Sequence, residues 1–216
     1  MADTDRASRL ESALADLPLV AILRGLKPDE AEGVARVLYD AGFRLIEVPL
    51  NSPSPFDSIA TIRRLLPADA LVGAGTVLEV AQVGRLAALG ADLVVMPHAD
   101  TEVIRAAKTA SMACLPGVAT PTEAFAALKA GADALKLFPA ELISPAIVKA
   151  MRAVLPRDTR LMPVGGITPD TMGPYLDAGV TGFGLGSALY APGMRPDQVA
   201  ERAVRFATAW KDRHRT

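Results

Sequence analysis

The stretch KAGADALKLFP, residues 129–139, closes a helical pattern at Gly131 and then enters an apolar run that ends at Pro139. A glycine in this position supplies the left-handed backbone conformation that ends a helix before the next strand. Because the pattern recurs, we expect helices and strands to alternate along the chain, through loop chemistry alone or through an internal repeat. The three further stretches are DAGFRLIEV (40–48), ALGADLVVM (88–96) and DAGVTGFGL (177–185).

Eight apolar, strand-like runs are separated by helical patterns. Parallel strands need crossover helices, so this alternation predicts an α/β fold, a (β/α)8 TIM barrel with an additional N-terminal helix over residues 5–16. We expect one domain over residues 1–216. An open doubly wound sheet is the rival architecture, and the absence of a glycine fingerprint after the first strand favours the barrel. The runs are LVAIL (19–23), RLIEVPL (44–50), ALVGAG (70–75), DLVVMP (92–97), MACLPG (112–117), DALKLFP (133–139), RLMPVGG (160–166) and VTGFGLG (180–186). Helix starts are expected near Pro28, Pro53, Glu79, Asp100, Pro121, Pro145, Pro169 and Pro196.

The composition carries no strong charge bias. The chain has 216 residues, 50% of them hydrophobic, and a formal net charge of −1 at pH 7. A nucleic-acid partner is not expected, because such partners are bound by concentrated basic surfaces. The dense basic cluster KDRHRT (211–216) is interpreted as a solvated helix end. No apolar run has the length of a membrane span, so we expect a cytoplasmic protein without membrane contact.

Cysteine and histidine are rare in this chain. Cys114 is the one cysteine, which excludes an intrachain disulfide, and its apolar neighbours predict a small core residue. His98 and His214 are the two histidines, too few for a histidine-based metal cluster, and His98 is interpreted as a loop residue. The acidic residues are scattered, so we expect no metal site.

Two charged residues lie inside strand-like runs. Lys136 stands between Leu135 and Leu137, and Glu47 lies in RLIEVPL, each two or three residues before the proline that ends its run. Apolar surroundings favour the neutral amine of a lysine, which is a nucleophile toward carbonyl groups, and a nearby carboxylate can shuttle protons. The pair therefore indicates Schiff-base chemistry on a keto acid. The alternatives are a structural ion pair or side chains that extend to solvent.

Glycine clusters end the last two strand-like runs, as VGGIT (164–168) and FGLGSA (183–188). Glycines let backbone N–H groups approach an anion, and the corresponding loops of barrels commonly bind phosphate. The alternative is that these glycines only form tight turns. Neither the dinucleotide motif G-x-G-x-x-G after the first strand nor a P-loop occurs. A phosphorylated small molecule is therefore the better fit.

Two more polar residues follow strand-like runs. Thr76 in GAGTV can hold a carboxylate through its hydroxyl and backbone N–H, or it can cap a helix. Arg24 in AILRG is a candidate bidentate ligand for an anion, or else a surface residue.

The motifs AILRG, EVPLNSP, GAGTV, ALKLFP, VGGIT and GLGS, over about residues 18–210, resemble the 2-keto-3-deoxy-6-phosphogluconate / 4-hydroxy-2-oxoglutarate aldolase family. Several motifs that agree in order and spacing are more specific than any one of them. The resemblance implies a (β/α)8 barrel, a homotrimer and a class I aldolase without metal or cofactor. The implied reaction cleaves a phosphorylated 2-keto-3-deoxy sugar acid to pyruvate and glyceraldehyde 3-phosphate.

The resemblance also implies roles for individual residues. Lys136 matches the Schiff-base lysine, Glu47 the general acid and base, and Thr76 the threonine at the pyruvyl carboxylate. Phe138 and Pro97 match residues that line the pocket. The residues that match the phosphate site are Gly165, Gly166, Gly186 and Ser187.

One departure concerns the substrate. After the glutamate, the gluconate branch of the family usually reads T-L-R-T, whereas this chain has Pro49-Leu50-Asn51-Ser52. Arg24 is expected to replace the missing arginine, at the carboxylate or at the phosphate. Val164 stands where the gluconate branch usually has threonine, which favours the branch that acts on the galactonate epimer. Alternatively, Val164 is only a β-branched core residue of its strand, and both epimers are cleaved similarly. The alternatives are gluconate-type activity, a phosphosugar epimerase or isomerase, and a binding protein that has lost turnover.

Overall fold

The computed structural model describes residues 2–213, with side chains described from residue 8 onward. Within this range helices and strands alternate as predicted. The helices are α1 (Ala2–Asp16), α2 (Pro28–Asp40), α3 (Pro55–Leu65), α4 (Val80–Ala88), α5 (Thr101–Thr109), α6 (Pro121–Ala130), α7 (Pro145–Arg152), α8 (Met172–Asp177) and α9 (Pro196–Arg213). The strands are β1 (Leu19–Ile22), β2 (Leu45–Pro49), β3 (Leu71–Gly75), β4 (Leu93–Val95), β5 (Ala113–Leu115), β6 (Gly117–Val118), β7 (Leu135–Leu137), β8 (Leu161–Pro163) and β9 (Phe183–Leu185).

Local sequence signals account for the helix boundaries. At the start of α6, the hydroxyl of Thr120 accepts from the backbone N–H of Glu123 at 3.3 Å, and the Glu123 carboxylate accepts from the N–H of Thr120 at 2.8 Å. The same helix ends at Gly131, whose φ of 104° is in the left-handed region as predicted. The helix start that was expected near Pro53 lies two residues later, because α3 begins at Pro55.

The strands form two parallel sheets. The larger sheet has the order β5-β4-β3-β2-β1-β9 and the smaller the order β6-β7-β8. The fifth predicted run is divided at Pro116, which has no N–H to donate to a neighbouring strand. A single parallel bridge between Val164 and Gly184 connects the end of β8 to β9. The predicted parallel α/β alternation is confirmed, whereas the strands hydrogen-bond as two curled sheets rather than as one continuous ladder.

Helix α1 packs across the amino-terminal ends of the strands. Leu10 and Ala13 of α1 join a buried cluster with residues of β1 to β5 and β8 and with Ala134, just before β7. Beside them the buried carboxylate of Asp92, just before β4, pairs with Arg9 of α1 at 3.1 Å and with Arg63 of α3 at 2.7 Å. These contacts close this end, so that the carboxyl ends of the strands form the open end of the sheets.

The remaining sequence interpretations can be checked within residues 2–213. Cys114 is buried with its Sγ 3.8 Å from Sδ of Met96, and burial raises the pKa of its thiol to about 12. It is therefore a core residue, as predicted. The exposed residues 211–213 end α9, while residues 214–216, including His214, lie outside the described residues. No described helix has the combined length and apolar character needed to cross a membrane.

Candidate active site

Glu47 and Lys136 are the central residues of β2 and β7. Glu47 aligns with Ile22 of β1 and Gly73 of β3, and Lys136 aligns with Met162 of β8. Both side chains are buried, with 1% of Glu47 and 6% of Lys136 exposed. Each is close enough to shift the pKa of the other. The structure thus brings together the two residues that the sequence singled out.

The carboxyl group of Glu47 is poised to gain and lose a proton near neutral pH. Burial raises its pKa to about 7, against the opposing effects of Lys136, Arg24 and a hydrogen bond from the Gly75 backbone. A Cβ at position 75 would collide with this carboxyl group, so glycine makes the space for it. Oε2 is buried and has no hydrogen-bond partner among the described residues. A free acceptor of this kind is expected where a substrate or water completes the site.

The amine of Lys136 is held toward its neutral form. Burial is the main cause that lowers its pKa, Arg24 acts in the same direction, and Glu47 opposes them. Its Nζ lies 4.6 Å from the centre of the Phe138 ring. A neutral amine in an apolar, partly aromatic setting is suited to nucleophilic attack on a carbonyl carbon.

A cleft of about 1000 Å³ opens beside Lys136. Glu47, Thr76 and Pro97 are not among the residues that line it. The cleft also contains charged and aromatic groups that sequence reasoning did not identify, including Glu141, Asp170, Tyr190, Arg202 and Arg205. The predicted residues that do line it are Arg24, Lys136, Phe138, Val164, Gly165, Gly166, Gly186 and Ser187.

Thr76 follows β3 directly and adopts a left-handed backbone conformation, with a φ of 55°. A β-branched residue is a rare occupant of this region, and such strain concentrates at functional sites. The interpretation of Thr76 as a helix cap is wrong, because Glu79 caps α4. Thr76 follows the strand that flanks Glu47, and its role at the substrate carboxylate stays a prediction.

Arg24 lies beside the position at which the gluconate branch carries arginine. Its Nη1 donates to Oδ1 of Asn51 at 2.6 Å. The guanidinium is also near enough to affect the pKa of both Glu47 and Lys136. Sequence reasoning identified Arg24 but could not identify this bond, which joins residues 27 positions apart.

Pro97 and His98 follow β4 of the larger sheet and contact β6 of the smaller sheet. A Cβ at Gly117 would lie 2.5 Å from the carbonyl oxygen of Pro97, so this turn packs directly on β6. The carbonyl of His98 accepts from the N–H of Gly117 at 3.2 Å, and the side chain of His98 is exposed. Its assignment to a loop is confirmed. Across residues 2–213, no group of three His, Cys, Asp or Glu residues is arranged to hold a metal ion.

The paired glycines form a sharp turn at the cleft wall. Gly165 and Gly166 have φ values of 120° and 60°, and the first of these is accessible mainly to glycine. Val164, just before them, is 8% exposed and lines the cleft. A Cβ at Gly165 would collide with the carboxylate of Glu141, which therefore lies against the turn.

Comparisons with known proteins match this arrangement. The family of KDPG and KHG aldolases matches residues 10–201. The chain is 52% identical over 193 residues to a Rhizobium meliloti (strain 1021) protein named "Probable 2-dehydro-3-deoxy-6-phosphogalactonate aldolase", covering 89% of this chain and 91% of that protein. It is 47% identical over 196 residues to the Escherichia coli (strain K12) protein named "2-dehydro-3-deoxy-6-phosphogalactonate aldolase", covering 91% and 96%. The solved structure described as "Native KDPGal structure" superposes with a TM-score of 0.91 at 46% identity, covering 93% of this chain and 97% of that one.

Proposed function

The chain belongs to the KDPG and KHG aldolase family, and from this premise we propose that it is a class I aldolase that cleaves 2-dehydro-3-deoxy-6-phosphogalactonate to pyruvate and D-glyceraldehyde 3-phosphate. The observation that carries the proposal is the buried pair of Lys136 and Glu47, with Lys136 opening onto a cleft of about 1000 Å³. The direct test is a coupled assay that measures pyruvate release from the pure synthetic substrate. Absence of pyruvate release from either C4 epimer would contradict it.

The two shifted pKa values support the following mechanism. The neutral amine of Lys136 attacks the C2 ketone, and Glu47 in its acid form protonates the departing hydroxyl, which leaves as water. The resulting iminium is the electron sink for the next step. Glu47, now a carboxylate, accepts the proton of the C4 hydroxyl, directly or through a water, as the C3–C4 bond breaks. The enamine then takes a proton at C3, and hydrolysis of the iminium releases pyruvate.

We assign the substrate carboxylate to Thr76 and Arg24, with Phe138 and Pro97 beside the reacting carbons. The strained conformation of Thr76 and the proximity of Arg24 to the catalytic pair support this assignment. Arg24, fixed by Asn51, would then act at the reacting end of the substrate rather than at its phosphate. The two residues would orient the ketone toward Lys136.

We assign the phosphate to the turns that carry Gly165, Gly166, Gly186 and Ser187. All four residues line the cleft, and backbone N–H groups in glycine-rich turns are well suited to bind an anion. A remote dianion supplies binding energy that positions the reacting carbons.

Replacement of Gly166 by valine is expected to lower kcat/KM for the phosphorylated substrate by about 10- to 100-fold, because a branched side chain blocks the approach of the phosphate to the turn. Steady-state kinetics with phosphorylated and unphosphorylated substrate measure the effect. Gly90→Val is the control for backbone strain, since Gly90 has a similar left-handed φ but does not line the cleft, whereas a Cβ at Gly166 would also contact Glu141. Equal losses on both substrates would point to general disruption of the fold.

The valine at position 164 is expected to set the C4 preference. Valine cannot hydrogen-bond the C4 hydroxyl, whereas a site built around a substrate hydroxyl discriminates strongly. We expect the galactonate epimer to be cleaved on the order of tenfold faster than the gluconate epimer, and Val164→Thr to shift the ratio toward gluconate. The measurement is kcat/KM for both pure epimers, with thermal unfolding as the control for stability. A wild type that prefers the gluconate epimer would overturn the assignment of this branch.

We also propose that the two sheets belong to one closed (β/α)8 barrel in a single domain. The Val164–Gly184 bridge and the Gly117–His98 hydrogen bond, which lie where the sheets adjoin, support closure.

A homotrimer is proposed on the family resemblance, and the exposed apolar residues Phe125, Leu142 and Ile147 offer surface that a partner would bury. A cytoplasmic location suits an enzyme whose substrate and product are charged phosphate esters.

A further inference from the structure

Helix α9 brings two arginines to the cleft. Arg202 and Arg205 lie three residues apart, so they share one face of the helix, and both line the cleft together with Gly186 and Ser187. They lie in a helical pattern near the end of the sequence, distant from every motif that predicted the site. Their position raises the question of which anion they bind.

Arg202 is attached to the loop after β9. Its Nη1 donates to the carbonyl oxygen of Ser187 at 3.1 Å, and its side chain is partly buried. Ser187 directly follows Gly186, so this bond fixes the loop that is assigned to the phosphate. Arg202 thereby holds α9 and the loop in a fixed relation.

Arg205 is exposed and is available to a ligand. Among the residues whose side chains are described, none forms a hydrogen bond or ion pair with it. Its guanidinium carries five N–H donors in a planar arrangement that fits the oxygens of a phosphate. One turn of helix before it, Arg202 prevents the neighbouring loop from moving away.

The cleft contains carboxylates as well as arginines. The carboxylates of Glu141 and Asp170 line the same cleft, and Glu141 lies against the paired glycines. A phosphate dianion near these carboxylates is repelled unless cations offset the repulsion. Arg24 is hydrogen-bonded to Asn51 and affects the pKa of Lys136, so we do not assign it to the phosphate.

We propose that Arg205 binds the substrate phosphate directly and that Arg202 is a positioning residue for the Gly186–Ser187 loop. This assignment adds α9 to the binding site and rests on the proposed function, since it requires a phosphorylated substrate. It gives the phosphate a cationic partner in a cleft that also contains the two carboxylates.

The test compares Arg205→Gln with Arg205→Lys and with the control Lys211→Gln, which removes a positive charge from α9 outside the cleft. We expect Arg205→Gln to lower kcat/KM for the phosphorylated substrate by about 10- to 100-fold and to leave the unphosphorylated substrate unaffected. Arg205→Lys should recover part of the loss, because it keeps the charge without the planar donors. Lys211→Gln should behave as wild type.

Arg202 is tested by the same kinetics with Arg202→Gln and Arg202→Lys. The lysine variant retains a donor for the carbonyl of Ser187, so it should recover binding of the phosphorylated substrate. Trapping of pyruvate on Lys136 by borohydride should be equal in all variants, which separates loss of phosphate binding from loss of the fold. Failure of Arg202→Lys to recover more than Arg202→Gln would contradict the positioning role.

Calorimetric titration with inorganic phosphate tests the proposal without turnover. Weaker phosphate binding by Arg205→Gln than by wild type and Lys211→Gln would support it. Equal binding by all three proteins, or no phosphate binding by wild type, would overturn it. If wild type binds phosphate through Arg205 but releases no pyruvate from either epimer, the proposed function fails and the anion site stands.

Discussion

Replacement of Lys136 by methionine abolishes turnover, with a loss expected on the order of 10⁴-fold or more, because the covalent step has no other nucleophile. Lys136 is the lysine that lines the cleft, and its lowered pKa favours the neutral amine that attacks a ketone. Methionine has a similar length and an apolar end that suits the buried site. Stopped assays with high enzyme concentration would measure the residual rate.

The same residue should be identified chemically. Pyruvate with borohydride is expected to reduce the iminium and add one pyruvyl group per chain, which peptide mapping by mass spectrometry would locate on Lys136. The variant should not be labelled, and Lys129→Met, which changes an exposed lysine of α6, should be labelled as wild type. Labelling at a different residue, or none, would contradict the Schiff-base mechanism.

The fold should tolerate this change, although a buried carboxyl group loses its partner. Lys136 is one of the groups that lower the pKa of Glu47, so its removal raises that pKa further and favours the neutral acid. The variant therefore need not retain a buried unpaired charge. A melting temperature close to that of wild type would show that loss of activity is chemical rather than structural.

Replacement of Glu47 by glutamine is expected to lower kcat on the order of 10²-fold or more while borohydride trapping of pyruvate survives. Glutamine keeps the size of the side chain in a tight site, where Gly75 contacts the carboxyl group, but it cannot exchange a proton. Single-turnover cleavage separates this step from imine formation. Turnover near the wild-type rate would show that another group is the base.

The pH profile gives a second signature of Glu47. Because burial raises its pKa to about 7, the carboxylate form that accepts the C4 proton is lost as the pH falls below about 7. The kcat of wild type, which reports the enzyme–substrate complex in which the carboxylate acts, should therefore decrease on the acid side of this value. Glu47→Gln should lose the part of this limb that belongs to the glutamate. Since Glu47 and Lys136 interact, the measured values describe the pair. An unchanged acid limb in Glu47→Gln would assign it to a different group.

The sequence predicted what local chemistry determines. Apolar runs bounded by glycine and proline located the strands, and a charged residue within a buried run identified Lys136 and Glu47. The division of the fifth strand at Pro116 was not predicted. Proline lacks an N–H, but this interrupts the hydrogen bonds of a sheet only where a neighbouring strand would have accepted from it, and the sequence does not show which strands are neighbours. The start of α3 at Pro55 was displaced for a related reason, because two prolines two residues apart can each begin a helix.

Tertiary contacts determine the rest of the site. The contact of Glu141 with Gly165 depends on how a short helical turn after β7 packs against the turn after β8. Arg205 reaches the cleft only because α9 packs beside the loop after β9, and no spacing in the sequence encodes that distance. The left-handed conformation of Thr76 could not be predicted from the sequence either, because threonine rarely adopts it.

The packing of α1 across the amino-terminal ends of the strands has a kinetic consequence. Leu10 and Ala13 fill that end, and among the described residues the cleft beside Lys136 opens at the other end. In the proposed binding mode, the reactant and both products would share this passage, and the phosphorylated fragment, which is not attached to the amine, would depart first. Product release would then be sequential, and the phosphorylated aldehyde would obstruct exit of the acid whenever it rebinds.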